Sequence, residues 1–338
     1  MTRNGKLGVA VAGLGVGVQH AKAYLRTGDC RLKWAYDLDS DKARNLVSEV
    51  GEGRVAGSFE QVLEDPDVDA VSIATYDDAH FEQVLAALDA EKHVFVEKPL
   101  CRTYDELAAI KSAWQRHGGR AKLSSNLVLR SAPLYVWLKE AISNGELGKV
   151  YSFDGEYLYG RLHKITEGWR KDVSNYSVML GGGIHLIDLL MWLTGERPRK
   201  VFASGNRVST RGTAFRYQDY VAATLDFSSG MVARIVANFG AVHRHHHVLR
   251  VFGTEATFLY DDAGPRLHTS REPSAEAAQI DVGTLPRSKG ELIGPFVAGI
   301  LRDEDMNGHT GDIFDAISVC AASDEAMEAK APVEVRYV

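Results

Sequence analysis

Four short stretches carry residues that could do chemistry. "EKPL" closes an apolar run and puts Lys98 where a strand should stop. A lysine there can polarise a substrate oxygen or pass it a proton, if burial and a nearby charge tune it. "YSVMLGGGIHLIDLLMWLTG" sets three glycines before an apolar run whose ionisable residues are His185 and Asp188. Their i,i+3 spacing puts both on one helix face. Unpaired polar groups on so apolar a helix are costly, so the two should face a cleft or each other. "VAGLGVG" turns through Gly13 and Gly15, and Asp37 lies 24 residues beyond Gly13. Glycines let a backbone approach a pyrophosphate, a following helix N-terminus offers N–H groups, and a carboxylate at that distance suits ribose hydroxyls. Its charge would repel a 2′-phosphate, so NAD is expected over NADP. "GWRKD" offers Trp169 to cover a cofactor and Arg170 to grip a phosphate or carboxylate bidentately.

Each stretch has a plainer reading. The glycine turn could be a tight strand–helix connection without a ligand; the third glycine of G-x-G-x-x-G would fall at Val18. Lys98 could be a surface partner of Glu97. His185 and Asp188 could share a core hydrogen bond, with the glycines there for close helix packing. Trp169 and Arg170 could sit in a loop packed on the domain junction. "HRHHH" invites a metal, because alternate residues His243, His245 and His247 could share one face of an extended strand. No cysteine or carboxylate pattern accompanies them, so a solvated or substrate-facing strand start is expected, and no metal.

The elements that must hold these residues follow from periodicity. Strand runs such as Leu7–Ala12, "RLKWAYDLD", "DAVSIATY", "HVFVEKPL" and "AKLSSNL" alternate with helical stretches up to about Asn126. That alternation predicts a parallel, doubly wound sheet, with Lys98 at a strand's C-terminal end, where ligands of open α/β sheets bind. After Gly148 the runs "KVYSFDGEYLY", "KVFASGNRV", "DYVAATLDF", "MVARIVANF", "HVLRVFG" and "ATFLYDD" predict an antiparallel sheet. Asp261–Lys289, polar and with three prolines, reads as a long loop with little regular structure. The division is therefore a Rossmann α/β domain over 1–125 and an α+β domain over 126–338.

The totals exclude several classes. The 338 residues carry a formal charge of −6, with no basic stripe for nucleic acid or an anionic membrane. No apolar run reaches the ~20 residues of a membrane span. The first residues do not read as a secretory leader, and the three cysteines, Cys30, Cys101 and Cys320, fit no metal pattern. A reducing cytoplasm is the expected compartment.

Taken together, "GLGVGVQHAKAY", Asp37, "IATYDDAHFEQVLAALDAEKHVFVEKPL", "SSNLVLRSAPLYVWLKEAISNGELGKV", "GWRKD", "GGGIHLIDLLMWL", "VFGTEATF" and "AASDEAMEAKAPVEV" resemble the Gfo/Idh/MocA oxidoreductase family, named for glucose–fructose oxidoreductase and inositol dehydrogenase. The resemblance covers essentially the whole chain. It implies a Rossmann domain that binds a nicotinamide cofactor. It implies a second domain with a large open, mostly antiparallel sheet for substrate binding and homo-oligomer contacts, as a homodimer or homotetramer. It implies that Gly13, Gly15, Val16, Asp37, Thr75, Tyr76, His80, Glu97, Lys98, Asn126, Trp169 and Arg170 meet the cofactor.

A family motif close to D-x-G-x-H-x-x-D aligns Gly183, His185 and Asp188, but its first aspartate is Gly181 here. This leaves Lys98 and His185 as the acid/base candidates, meeting in an interdomain cleft, with Asp188 orienting the histidine or holding a substrate hydroxyl. The glycines would make room for a ligand. The function implied is NAD(H)-dependent hydride transfer at a secondary alcohol or ketone of a sugar, polyol or sugar derivative. The alternatives are an NAD-dependent glycosidase of the same fold and a non-catalytic dinucleotide-binding sensor or accessory protein.

Overall fold

Six short apolar runs pair as a parallel sheet in the computed structural model, which describes residues 5–116, 118 and 120–338. They are β1 (Leu7–Ala12), β2 (Cys30–Tyr36), β3 (Arg54–Val55), β4 (Ala70–Ile73), β5 (His93–Val96) and β6 (Leu123–Ser125), in the order β3-β2-β1-β4-β5-β6. Every residue of β1 is buried, as a strand covered on both faces requires. Helices α1 (Gly17–Arg26), α2 (Ser40–Val50), α3 (Phe59–Glu64), α4 (His80–Asp89) and α5 (Tyr104–Arg116) fill the connections. Local chemistry starts two of them: Asp39 accepts from the Asp41 N–H at α2, and Ser58 from the Gln61 N–H at α3. The strand order reverses between β1 and β4, so the ligand-binding crevice of such a sheet opens at the ends of those two strands.

The second sheet has nine strands: β7 (Val150–Leu158), β8 (Pro198–Asn206), β9 (Tyr220–Phe227), β10 (Val232–Asn238), β11 (His246–Gly253), β12 (Thr257–Asp261), β13 (Gly264–His268), β14 (Ala278–Gln279) and β15 (Val333–Glu334). Their order is β14-β13-β12-β11-β7-β10-β9-β8-β15, antiparallel except where β7 runs parallel to β10. Alternation divides its faces. Phe153, Gly155 and Tyr157 of β7 stand level with Ala233, Ile235 and Ala237 of β10, all buried. On the other face Asp154 accepts from both Arg234 and Arg250, and Val232 and Phe202 are exposed. The stretch expected to be a long loop with little regular structure holds two short strands. It forms β13 and β14, because Gly264, at φ +88°, closes a tight turn and Arg266 clamps Asp261 through both carboxylate oxygens.

Between β6 and β8 lie α6 (Pro133–Ser143), α7 (His163–Thr166) and α8 (Ile184–Thr194). One turn of π-helix, Met179–Gly183, leads directly into α8. The sequence suggested a helix here but not its wider first turn. Ser177 starts it, its Oγ accepting the N–H groups of Met179 and Leu180. α8 is apolar around most of its circumference and ends at Gly195, whose φ of +72° gives a left-handed cap. Gly155 lets it lie close on the sheet, since a Cβ there would stand 3.3 Å from Leu186 Cδ1.

Two further helices follow, α9 (Ile293–Leu301) and α10 (Asn307–Ala329). The chain divides into two compact units: one holds the chain to Val128, Arg287–Phe314 and Val338, the other Leu129–Pro286 and Asp315–Tyr337. The expected division ran the second domain unbroken from 126 to 338. The return of α9 to the first unit has a physical cause. Ile293, Phe296 and Val297 complete the core around Val9, Val11, Tyr24 and Phe95, and Phe296 meets Phe95 ring to ring at 5.5 Å.

In the second unit, α10 packs on the start of the π turn, where Cys320 Sγ donates to the Met179 carbonyl. One turn further on, burial pushes the Asp324 carboxyl up to about 7; Glu328 adds to the rise and the Ser177 hydroxyl opposes it. The folded protein therefore holds a proton that the unfolded chain releases, from about the ordinary value of 3.8 up to about 7. Stability falls as pH rises through that window. Asp324→Asn should remove this slope. Its melting temperature relative to wild type should rise between about pH 5 and about pH 8; an equal gap at both pH values would show that Asp324 does not titrate there.

Candidate functional site

In the first unit the three glycines after β1 have different surroundings. Gly13, at φ +84°, has the backbone of Ala74 and Thr75 so close that a Cβ would lie 2.4–2.5 Å from it. Gly17 packs α1 on the sheet, its place for a Cβ lying 2.9 Å from Val11 Cγ1. It lies one position before Val18, where the motif's third glycine would fall, and lets the helix pack closely on β1. Gly15 has no heavy atom within 4 Å of such a Cβ, so the space over the turn is open. Val16, exposed, directly precedes α1, and no side chain caps that helix. The turn therefore offers bare N–H groups beside open space, which fits a pyrophosphate.

Asp37 directly follows β2 and holds the turn itself. Its Oδ2 accepts the Leu14 N–H at 2.6 Å and its Oδ1 the Asp39 N–H at 2.9 Å. Oδ1 also takes the Lys42 ammonium at 3.5 Å, while Oδ2 keeps a second lone pair for a ribose hydroxyl. After β4, the Thr75 hydroxyl bonds Gln83 Oε1 at 2.7 Å, and Tyr76 is half exposed. His80 is fully buried, with Nδ1 2.7 Å from the Pro99 carbonyl oxygen and Nε2 3.2 Å from that of Thr75. Expected to meet the cofactor, it instead ties together the loops after β4 and β5.

Lys98 directly follows the residue after β5 and enters a cis peptide bond with Pro99. It is half buried. Glu97 beside it is held from three sides. His20 Nε2 lies 3.2 Å from Glu97 Oε1, and the Asn126 amide donates to the same oxygen at 2.7 Å. Burial alone would raise the Glu97 carboxyl. The His20 and Asn126 hydrogen bonds and the Lys98 charge outweigh it and hold the group down at about 2. Asn126 also donates to the Lys289 carbonyl at 2.7 Å, while its Oδ1 is buried and accepts from no described residue. That orphan acceptor suits a ligand with an N–H or O–H to give. His20 was missed from sequence. Its one signal was a polar residue on the buried side of α1, where it reaches Ser72 Oγ at 2.9 Å.

In the second unit the triple glycine does not open a space for ligand. A Cβ on Gly181 would stand 2.4 Å from Tyr176 Oη; one on Gly182, 2.5 Å from Tyr157 Cε1 and 2.8 Å from Phe239 Cε2. The room is filled by this chain's own aromatic rings, and the expectation is corrected on that ground. His185, 8% exposed, stacks on Tyr157 at 6.0 Å. Asp188, expected to orient His185 or hold a substrate hydroxyl, has both oxygens accepting from Arg130 Nε at 3.1 and 3.0 Å. This buried, forked ion pair marks Asp188 as an anchor for α8. Arg130 carried no sequence signal.

Trp169 and Arg170 form a short 3-10 turn. The Arg170 guanidinium lies 4.4 Å from the Trp169 ring, and its Nε donates to Tyr176 Oη at 3.1 Å. Of the histidine run, His245 and His247 flank Tyr157, each at 5.2 Å. His243 turns away from them to Asp262, 2.9 Å from its Oδ2. The shared face of three histidines is thus reduced to two. Among the described residues no group of three or more His, Cys, Asp or Glu could hold a metal, and no helix is long and apolar enough to cross a membrane.

Comparison with known proteins points to one family. A family model described as "Oxidoreductase family, NAD-binding Rossmann fold" matches residues 7–124, and the "GFO/IDH/MocA C-terminal domain" matches residues 135–259. An uncharacterised oxidoreductase of Bacillus subtilis is 26% identical over 78% of this chain and 76% of its own length. Myo-inositol 2-dehydrogenase of Thermotoga maritima is 26% identical over 75% of each. Across the first three curated relatives the chain spans 76%, 62% and 58% of their length. A levoglucosan dehydrogenase solved in complex with NADH and levoglucosan shares the fold with a TM-score of 0.86 at 21% identity, covering 98% of this chain and all of that one.

The packing of the glycine turn gives a direct test. Gly182→Ala must displace the Tyr157 and Phe239 rings, and such overpacking costs about 1–3 kcal/mol. Urea denaturation should show a loss of that order, and an unchanged midpoint would mean that the rings yield freely.

Proposed function

The chain belongs to the Gfo/Idh/MocA oxidoreductases, a family whose first domain binds NAD, and from that membership we propose a dehydrogenase acting on a secondary alcohol or ketone of a sugar or polyol. The observation that carries this reading is the turn after β5. There a charged Glu97, fixed by His20 and Asn126, stands beside a half-buried Lys98 at the edge of the sheet where such folds bind ligands.

Gly13 and Gly15 bring the bare start of α1 to the pyrophosphate, Asp37 accepts from the ribose, and the orphan Oδ1 of Asn126 accepts from a donor on the ligand. Bound NAD supplies the hydride acceptor. The Lys98 ammonium donates to the substrate oxygen and stabilises the negative charge that builds there. His185 accepts the hydroxyl proton, and in the reverse direction returns it to the oxygen. Asp188 acts through Arg130 to hold the helix that carries His185. Trp169 and Arg170 complete the binding surface of the second unit.

Two outcomes follow. Lys98→Ala and His185→Ala should each lower kcat by roughly 10²–10⁴ on a sugar or polyol substrate, while the Kd for NADH moves much less. Wild-type turnover in both variants would remove them from the chemistry. Asp37→Ala should cost the preference for NADH over NADPH at least about tenfold, a change of ~1.4 kcal/mol. Fluorescence titration with the two cofactors reads this, and tighter NADPH binding by the wild type would overturn the role given to Asp37.

A further inference from the structure

Several arginines of the second unit meet carboxylates: Arg130 meets Asp188, Arg197 meets Asp315, Arg234 and Arg250 meet Asp154, Arg244 meets Asp262, and Arg266 meets Asp261. Arg161 pairs with no carboxylate among the described residues. Its guanidinium lies 4.6 Å from the centre of the Tyr159 ring, and its charge acts to lower the pKa of the Tyr157 phenol. Its Nε is buried and, among the described residues, has no acceptor.

The surroundings place this cation beside the proposed chemistry. Gly160, at φ +61°, brings the chain so close to residues 243–245 that a Cβ would lie 2.2 Å from the His243 carbonyl oxygen. That contact seats His245 by Tyr157 and Tyr159. The Tyr157 ring that receives Arg161 also stacks on His185 and borders His247. A guanidinium and three imidazoles thus surround one phenol. Burial pushes that phenol up to about 12, so it stays neutral at physiological pH and gives the cation no counter-charge.

A partly buried guanidinium with an unused N–H and no counter-ion is costly to keep. A planar anion relieves that cost, because a carboxylate or phosphate accepts from the guanidinium fork with charge assistance. We infer that the substrate carries an anionic group, a carboxylate or phosphate, and that Arg161 receives it next to the carbon chemistry at His185. The sugar part of the substrate rests on the dehydrogenase reading; the anion site does not.

The test compares matched sugars of three kinds, such as glucose, glucuronate and glucose 6-phosphate, with the corresponding galactose and mannose sets. NAD reduction is followed by absorbance, and thermal shifts are read on the NADH-loaded protein with the same compounds. One acidic class should exceed its neutral parent in kcat/KM by about 10–100-fold, the range of a charge-assisted hydrogen bond. Which class does so separates carboxylate from phosphate. Arg161→Met should collapse that ratio at least about tenfold, and Arg161→Lys should restore part of it, which loss of folding alone would not do. A ratio near one in the wild type, or an equal ratio in wild type and Arg161→Met, overturns the inference. If no sugar is oxidised, the dehydrogenase reading fails and the thermal shifts decide the anion site. Stabilisation by the acidic compounds that vanishes in Arg161→Met sustains it, and no such stabilisation removes it.

Discussion

The charge on Glu97 is the constraint on which the first unit's site depends. A carboxylate in that position is largely removed from water against its preference, and it stays ionised because His20, Asn126 and Lys98 all favour the charged form. The same bonds join α1, the end of β5 and the residue after β6 in one cluster. Ser72 extends it to β4 through His20, and Lys289 extends it to the segment before α9. Lys98 follows that fixed point directly. Its position is set by neighbours drawn from four separate parts of the chain, which is the kind of support a group needs if it is to act at a defined distance from a substrate oxygen.

The second unit solves a different problem. α8 is apolar around most of its circumference, so the sheet and α6 can bury it, and it also carries His185 and Asp188. The π turn ahead of it, with three glycines in succession, lets Tyr157, Tyr176 and Phe239 close over the backbone itself. Arg130, from the turn before α6, neutralises Asp188 of α8, since an unpaired carboxylate there would be costly. His185 is thereby held by stacking on Tyr157. The imidazoles and the guanidinium around that ring then follow from the strand start at His245–His247 and from Arg161.

The architecture was legible because it rests on patterns that are local and repeated. Strand and helix alternate up to Asn126 with the periods expected of buried parallel strands and amphipathic helices, and six strands in that order leave one ligand-binding crevice. Period-two alternation similarly exposed the strands of the second sheet. Misreadings arose where the deciding partner is distant in sequence. The polar run after Asp261 became two short strands because Arg266 and Gly264 close a hairpin. The helix Ile293–Leu301 joined the first unit because its apolar face completes a core begun at Leu7.

The sequence by itself determined the fold class, the glycine turn with its acidic residue, and the positions of Lys98 and His185, because strand periodicity, turn chemistry and short motifs are encoded within a few tens of residues. Tertiary structure alone decided what those residues touch. It showed that Glu97 answers to His20, Asp188 to Arg130, and His80 to two backbone carbonyls. It also showed that the triple glycine receives aromatic rings rather than a ligand, and that Arg161 meets two tyrosines rather than a carboxylate. The physical reason is common to all of these. A side chain's partner is chosen by which elements the fold lays side by side, and residues 20 and 97, or 130 and 188, become neighbours only once the chain has closed on itself.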